Sequence, residues 1–358
     1  MNNILFLGYS NLLKTRILPI LKYLNFDNVS IAKFKDQPWD LDCLRRVHTP
    51  PLWGDIKGMD PETNTLPKQP YPARSAAGLV DYKNNGFFIS TYDNYEEALE
   101  SFRGNIVYIS MVNSSHYKYA LLSLQMGFNV IVDKPATLKL SETRSLLETA
   151  GRQKLLIGES LVYLMHPQFS QIDNIFLRYN DSPKLITAHF SMPPFTSENF
   201  RYKKELGGGA ILDTSPYAVS LGRYFFAGLP ETVKCVVNET KTDGVEIEYS
   251  LLMRYKDGRC LIGHFGFNTE YINQITIFGT RTNISLNRVF TIPADLENTI
   301  NISHENTITT EYSQKGNNFQ LYLEYYLKAL NSSAYEDFYN NMLNDAIVRE
   351  MINENKEQ

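Results

Sequence analysis

Apolar residues follow two regimes along this chain of 358 residues. Up to about residue 178, short apolar runs alternate with stretches whose apolar residues recur every three or four positions. Beyond it, apolar and polar residues alternate singly. The first pattern predicts strands separated by helices, the second a sheet with one buried face. Residues 3–7 read as a strand ending at Gly8, and 12–24 as a helix with Leu13, Ile17, Leu21 and Leu24 on one face. Further strands are expected at 29–34, 106–111, 129–132 and 155–158, and helices at 95–102, at 117–126 and from Ser141 onward. Gly127 stands where a helix C-terminus favours a left-handed residue. Another helix ends near Arg178.

Alternating runs at 185–190, 232–237, 245–255, 259–267, 274–278 and 283–290 predict a large, mostly antiparallel sheet, and two helices follow near 318–330 and 335–353. The fold class is α/β: a dinucleotide-binding type of domain over 1–135, then an α+β domain over 136–358 whose last helices pack back on the first. Residues 36–85 break the pattern. They hold Pro38, Pro50, Pro51, Pro61, Pro67, Pro70 and Pro72 of the 16 prolines, and both tryptophans. They read as an irregular insertion, with a lid, an oligomer contact and an unstructured loop all open.

Composition narrows the function. Hydrophobic residues at 43% and charged residues at 21% are ordinary for a globular protein. A net charge of -4 provides no basic field, so nucleic acid is not an expected partner. Cys43, Cys235 and Cys260 are far apart with no Cys-x-x-Cys, which argues against structural zinc and disulfides and fits a reducing cytoplasm. The first residues lack a basic n-region, and no apolar run reaches the roughly 20 residues of a membrane span. A cytoplasmic protein without metal or membrane partner is expected.

The candidate chemistry lies at strand ends, where open parallel sheets bind ligands. Asp133, Lys134 and Pro135 follow the 129–132 strand, and proline aims the lysine reproducibly. Gly8-Tyr9-Ser10-Asn11-Leu12-Leu13 keeps only the first glycine of a dinucleotide fingerprint. Ser10 and the helix N-terminal amides from Asn11 suit a phosphate, although an ordinary strand–helix corner fits equally well. Lys33 stands where an NAD-specific domain places an acid, so a 2′-phosphate and hence NADP(H) are favoured, with NAD(H) the alternative; a solvated turn stays open. Ser110, Asn113 and His116 end the 106–111 strand, His116 either capping the next helix or meeting a cofactor. Gly207-Gly208-Gly209 permits close backbone approach, and Asp213 and Tyr217 beyond it share a helical face. A carboxylate and a phenol near a lysine suit proton transfer to a carbonyl oxygen; a cap and a packed aromatic are the plainer reading. Arg201, Lys203 and Lys204 suit a substrate phosphate or a solvated face.

The order Gly8-x-Ser10, Arg16-x-Leu18-Pro19, Ser110-x-x-Asn113-Ser114-x-His116, Asp133-Lys134-Pro135-Ala136, Glu159 with Tyr163 and His166-Pro167, then Arg201 before Gly207-Gly208-Gly209-x-x-x-Asp213-x-x-x-Tyr217, resembles the glucose–fructose oxidoreductase/inositol dehydrogenase (Gfo/Idh/MocA) family. The likeness is greatest to the tyrosine-containing branch with nucleotide-sugar 3-ketoreductases. It covers almost the whole chain outside 36–85. It implies an N-terminal Rossmann domain, a C-terminal sheet domain, and hydride transfer between a nicotinamide and a sugar or nucleotide-sugar carbon. Position by position, it implies Lys134, Tyr217 and Asp213 as catalytic residues, and Ser110, Asn113, His116 and Asp133 around the cofactor. Tyr163 and Arg201 would contact substrate, and a homodimer or homotetramer would form through the C-terminal sheet. The competing expectations are a non-catalytic NAD(P)-binding regulator and a lyase or glycosidase that uses bound NAD transiently.

Overall fold

The computed structural model describes residues 2–24, 26–33, 79–80 and 88–357. Most of the expected insertion at 36–85 therefore lies outside the described residues, as do Phe34 and Lys35. Contacts divide the chain into two compact units, Met1–Ser110 and Met111–Gln358.

In the first unit the described strands are β1 (Asn3–Leu7), β2 (Asn28–Ala32), β3 (Leu79–Val80), β4 (Phe88–Tyr92) and β5 (Ile106–Ile109), in the spatial order β3-β4-β2-β1-β5. Every pairing is parallel except β3 with β4. Ile4 to Leu7 and Ile106 to Ile109 are all at most 1% exposed. A parallel strand covered on both faces needs such an unbroken apolar run. The short helix α1 (Tyr95–Ser101) begins at Asn94, whose Oδ1 accepts from the Glu97 N–H at 2.9 Å.

The segment expected as one helix at 12–24 is instead a π-type turn, Leu13–Ile17, followed by a 3₁₀ turn, Leu18–Tyr23. Pro19 accounts for the break: it has no N–H, and its ring crowds the carbonyl four residues back. The buried face is still the one the periodicity indicates, since Leu13, Ile17 and Leu21 are fully buried and Leu24 is 7% exposed.

The second unit opens with α2 (Asn113–Gln125), β6 (Asn129–Asp133), α3 (Leu140–Gln153), β7 (Ile157–Ser160) and α4 (Gln168–Arg178). β6 and β7 are parallel, with Val132 opposite Glu159. α2 starts four residues earlier than expected, placing Asn113 and His116 in its first turn. It ends as expected, with Gly127 at φ 88°.

The six alternating runs become β8 (Leu185–Ser191), β9 (Thr232–Thr240), β10 (Glu246–Arg254), β11 (Cys260–Gly266), β12 (Ile272–Phe278) and β13 (Thr282–Asn287). The last stops three residues short of the expected end because Arg288 turns the chain with φ 53°. Beyond the expected strands, this unit adds β14 (Thr299–His304), β15 (Thr307–Tyr312) and β16 (Lys356–Glu357), as the first unit adds β3 and β4. β14 has a legible signal, Ile300 and Ile302 pointing inward between polar residues. The sheet order is β15-β14-β13-β12-β8-β11-β10-β9-β16, with β8–β11 and β9–β16 parallel and the rest antiparallel.

The inner face of that sheet buries Tyr249, Leu251, Met253, Leu261, Phe265, Ile275 and Ile277 in one core with α5 (Ala210–Phe226). Each such side chain contributes about 1.5–3 kcal/mol on burial. α6 (Asn318–Ser332) and α7 (Glu336–Glu354) follow, and α7 packs on α3, β7 and α5. No helix among the described residues is long and apolar enough to cross a membrane.

Candidate active site

The second unit gathers Lys134, Asp213, Arg201 and Tyr217. Lys134 follows β6, and its Nζ donates to both the Oδ1 and the main-chain oxygen of Asp213, each at 2.6 Å. Arg201 Nε donates to the other carboxylate oxygen at 2.8 Å. Asp213 is thus clasped between two cations. Tyr217 stands one turn along α5, and Lys134 Nζ lies 4.9 Å from the centre of its ring. The Tyr217 hydroxyl makes no hydrogen bond among the described residues, and neither do the two terminal nitrogens of Arg201. The Arg201 guanidinium lies 5.0 Å from the Phe195 ring and 4.7 Å from the Phe200 ring, which leaves its outer fork to one side.

Local sequence explains the arrangement. A Cβ on Gly208 would fall 2.6 Å from the Arg201 carbonyl oxygen and 2.7 Å from that of Phe200. Backbone cannot yield to such an intrusion, so glycine there lets the 200–201 segment pass against the start of α5. Gly207 adopts φ 75°, and its carbonyl accepts from Asn113 Nδ2 at 2.9 Å. Pro216 lies inside α5 and has no N–H for the Leu212 carbonyl.

The charges settle each other. Burial pushes the Asp213 carboxyl up, but Lys134 and Arg201 outweigh it and hold the group well below the usual carboxylate range. Burial pushes the Lys134 ammonium down, and the adjacent Asp213 overcomes that, so the lysine stays charged above its ordinary value. Burial raises the Tyr217 phenol, and Lys134 opposes only part of the rise. The phenol is therefore a proton-bearing group at neutral pH, and Asp213 is a fixed anion.

The other expected site residues divide into two groups. Gly8 has φ 104° at the end of β1, and the chain enters helical geometry three residues later, at Asn11. Ser10 Oγ accepts from the Leu13 N–H at 3.0 Å and lies 2.7 Å from Ser110 Oγ. Asn11 is exposed at the start of that turn. Asp133, half-buried, precedes Lys134 and acts electrostatically on Tyr217.

Three of the expected site residues have partners within the protein. Lys33 is 3% exposed and its Nζ lies 2.6 Å from Asp93 Oδ1, so an acid already faces its charge. His116 is fully buried, with Nδ1 2.8 Å from the Pro135 oxygen and Nε2 3.1 Å from the Met111 oxygen, so it braces backbone. Tyr163 is 1% exposed, and its hydroxyl donates to the Tyr217 carbonyl at 3.0 Å and meets Ser220 Oγ at 2.9 Å. It anchors the Tyr217 turn from behind and presents no polar atom to a substrate.

Two buried residues behind the Lys134 loop carry no expected role: Glu159, named only within the motif order, and Arg349. Glu159 Oε1 accepts from the Ala136 N–H at 2.9 Å, and Arg349 Nη1 donates to Glu159 at 2.9 Å. An acid closing the apolar run 155–159 is a weak signal for the first. Nothing in the sequence marks Arg349 among the charges of the last helix.

Comparison with known proteins gives a consistent picture. A model described as "Oxidoreductase family, NAD-binding Rossmann fold" matches residues 72–160, and one described as "GFO/IDH/MocA C-terminal domain" matches 182–285. A dTDP-3,4-didehydro-2,6-dideoxy-alpha-D-glucose 3-reductase of Saccharopolyspora spinosa is 28% identical over 216 residues, 60% of this chain and 65% of that protein. A D-xylose 1-dehydrogenase (NADP(+)) of Haloferax volcanii is 23% identical over 223 residues, 62% and 68% of the two chains. The match thus spans about two thirds of these relatives. Among solved structures, the 3-ketoreductase KijD10 from Actinomadura kijaniata with NADP and TDP-benzene superposes with a TM-score of 0.81 at 20% identity, covering 99% of this chain and 98% of that one. This likeness is one of fold.

Proposed function

The chain belongs to the Gfo/Idh/MocA family, and we propose that it is an NAD(P)-dependent oxidoreductase moving a hydride between a nicotinamide and a carbonyl or hydroxyl carbon of a sugar or nucleotide sugar. The observation that carries this reading is Lys134 held at 2.6 Å on Asp213 beneath the Tyr217 ring. A regulator that only binds a dinucleotide has no use for that arrangement.

The residues at the end of β1 fit a dinucleotide. Gly8 with positive φ, leading through Tyr9 and Ser10 into helical turns from Asn11, offers backbone N–H groups of the kind a pyrophosphate requires. Ser10 Oγ is engaged with Leu13 and Ser110, so amides near Ser10 and Asn11 supply the contact rather than that hydroxyl. Ser110, Asn113 and Asp133 complete the proposed set. When bound, the nicotinamide supplies or accepts the hydride. The protein supplies the rest. In the reducing direction Tyr217 gives its phenolic proton to the carbonyl oxygen, and Lys134 stabilises the negative charge developing there. Asp213 stays ionised, keeps the lysine charged and fixes its direction. The outer fork of Arg201 is the proposed receptor for an anionic part of the substrate, such as the diphosphate of a nucleotide sugar; the S. spinosa relative is named for a dTDP-sugar.

The outward face of the large sheet exposes Val236, Leu252 and Ile262 at 45%, 36% and 43%. A homodimer or homotetramer through that face is part of the proposal, checked by sedimentation of the purified chain. The first functional test is a titration of NADPH against NADH by nicotinamide fluorescence, followed by turnover of keto-sugars and nucleotide keto-sugars with the cofactor that binds. Binding with substrate-dependent oxidation supports the reading. Binding without turnover of any carbonyl substrate would move the protein to the regulator class.

A further inference from the structure

A single peptide unit, Pro135–Ala136, is held from both sides. Its carbonyl oxygen lies 2.8 Å from His116 Nδ1, and its N–H donates to Glu159 Oε1 at 2.9 Å. This unit lies one residue beyond Lys134, across Pro135. Glu159 is level with it because β7 pairs in register with β6, Glu159 facing Val132. The Glu159 carboxylate is 2% exposed, and a carboxylate so buried needs a partner. Arg349 of α7 provides it, Nη1 donating to both oxygens at 2.9 and 3.2 Å. One turn earlier on α7, Asp345 takes Arg223 at 2.7 and 3.0 Å. The four charges cancel, and of them Glu159 is the one that touches the Lys134 loop. The Tyr322 hydroxyl adds a bond to the Glu159 carbonyl at 2.9 Å, fixing the strand that carries the carboxylate.

We propose that Glu159 and Arg349 are positioning residues for Lys134. Arg349 fixes Glu159, Glu159 fixes the Ala136 N–H, and that peptide sets the direction in which the Lys134 side chain leaves the backbone. The ammonium sits at the end of a flexible four-carbon stem, so a small backbone rotation displaces Nζ by a large fraction of an ångström. A displacement of about 1 Å at a reacting group costs a rate factor on the order of 100. The rate consequence rests on Lys134 being the catalytic lysine; the clamp itself does not.

The test uses the full chain. Hydrogen exchange at the Ala136 amide is expected to be slow in the parent, roughly tenfold or more faster in Glu159→Ala, and near parental in Glu159→Gln, whose amide oxygen still accepts that bond. On a carbonyl substrate, kcat of Glu159→Ala falls on the order of 10- to 100-fold while KM and cofactor Kd stay within about threefold. Glu159→Gln keeps most of kcat although its Tm falls with the lost Arg349 pairing, so rate and stability part company. Arg349→Met lowers kcat and Arg349→Lys recovers it in part, which carries the comparison if Glu159→Ala does not fold. Equal Ala136 exchange in the parent and Glu159→Ala, or a kcat that follows Tm through every variant, overturns the proposal. A parent with no turnover on any carbonyl substrate sinks the functional reading, and Ala136 exchange still decides the clamp.

Discussion

Two strand ends in this molecule have aged differently. At the end of β1, the glycine fingerprint has lost two of three glycines, and the helix that should follow is broken by Pro19 into two irregular turns. At the end of β6, Lys134, Asp213 and Arg201 are joined by bonds of 2.6 to 2.8 Å, and Glu159 and Arg349, bonded at 2.9 and 3.2 Å, hold the adjoining Ala136 N–H, while the Tyr217 hydroxyl and the outer fork of Arg201 make no hydrogen bond among the described residues. The contrast follows from what each place is asked to provide. A pyrophosphate is bound mainly by backbone N–H groups and the field of a helix N-terminus, which many sequences present. Proton transfer and alkoxide stabilisation need particular side-chain atoms at particular places. The backbone site tolerates drift, and the side-chain site does not.

The sharpest way to break that comparison is Lys134→Ala. It is expected to lower kcat by a factor on the order of 100 to 10,000 with cofactor Kd nearly unchanged, measured by steady-state turnover beside a fluorescence titration. A variant with parental turnover and normal folding would end the catalytic reading of the β6 site. Next comes Asp213→Asn, which leaves two cations facing a neutral group. Breaking a buried pair costs about 3–5 kcal/mol, read by denaturant unfolding.

The same variant has a pH signature. The folded-state value of Asp213 is depressed, so its stabilisation is present above the unfolded carboxylate value and fades as pH falls through the folded one. Lys134 is raised, so its stabilisation is complete below the unfolded lysine value and fades as pH rises through the folded one. The pair therefore stabilises the fold between about pH 4 and about pH 10, and Asp213→Asn is expected to remove both limbs. Unfolding free energy measured across that range in parent and variant decides it.

The β1 end predicts smaller effects. Ser10→Ala removes the acceptor of the Leu13 N–H and should weaken cofactor binding about fivefold, the worth of roughly 1 kcal/mol, with kcat unchanged. Smallest of all is Ser10→Gly, which restores the second fingerprint glycine. It loses the same acceptor, so cofactor Kd is expected to stay within about threefold of that of Ser10→Ala if backbone amides carry the contact. A large gain in affinity would show that the fingerprint had been a liability and that side chains matter there as much as at β6.

Much of the architecture was legible in order and period. Alternation predicted all six strands from β8 to β13, because a half-buried sheet leaves a period of two in any sequence that forms it. Gly127 marked the end of α2 for the same kind of reason, a backbone conformation that glycine meets cheaply. The helix type at 13–23 was misread because periodicity reports which face is buried and says little about hydrogen-bond spacing near a proline. Lys134, Asp213 and Tyr217 were legible as candidates from spacing and resemblance, and the structure brings them together.

What the sequence determined by itself is therefore the local layer: which segments pair or coil, which faces are apolar, and which residue types stand at strand ends. What the tertiary structure alone decided is the use of each charge. Lys33 turned to Asp93, His116 and Tyr163 became braces, and Arg349, some 200 residues from Lys134 in the chain, became part of its support. Periodicity is a property of neighbours a few residues apart, whereas a buried ion pair depends on which groups lose water together, and that is set when distant segments pack.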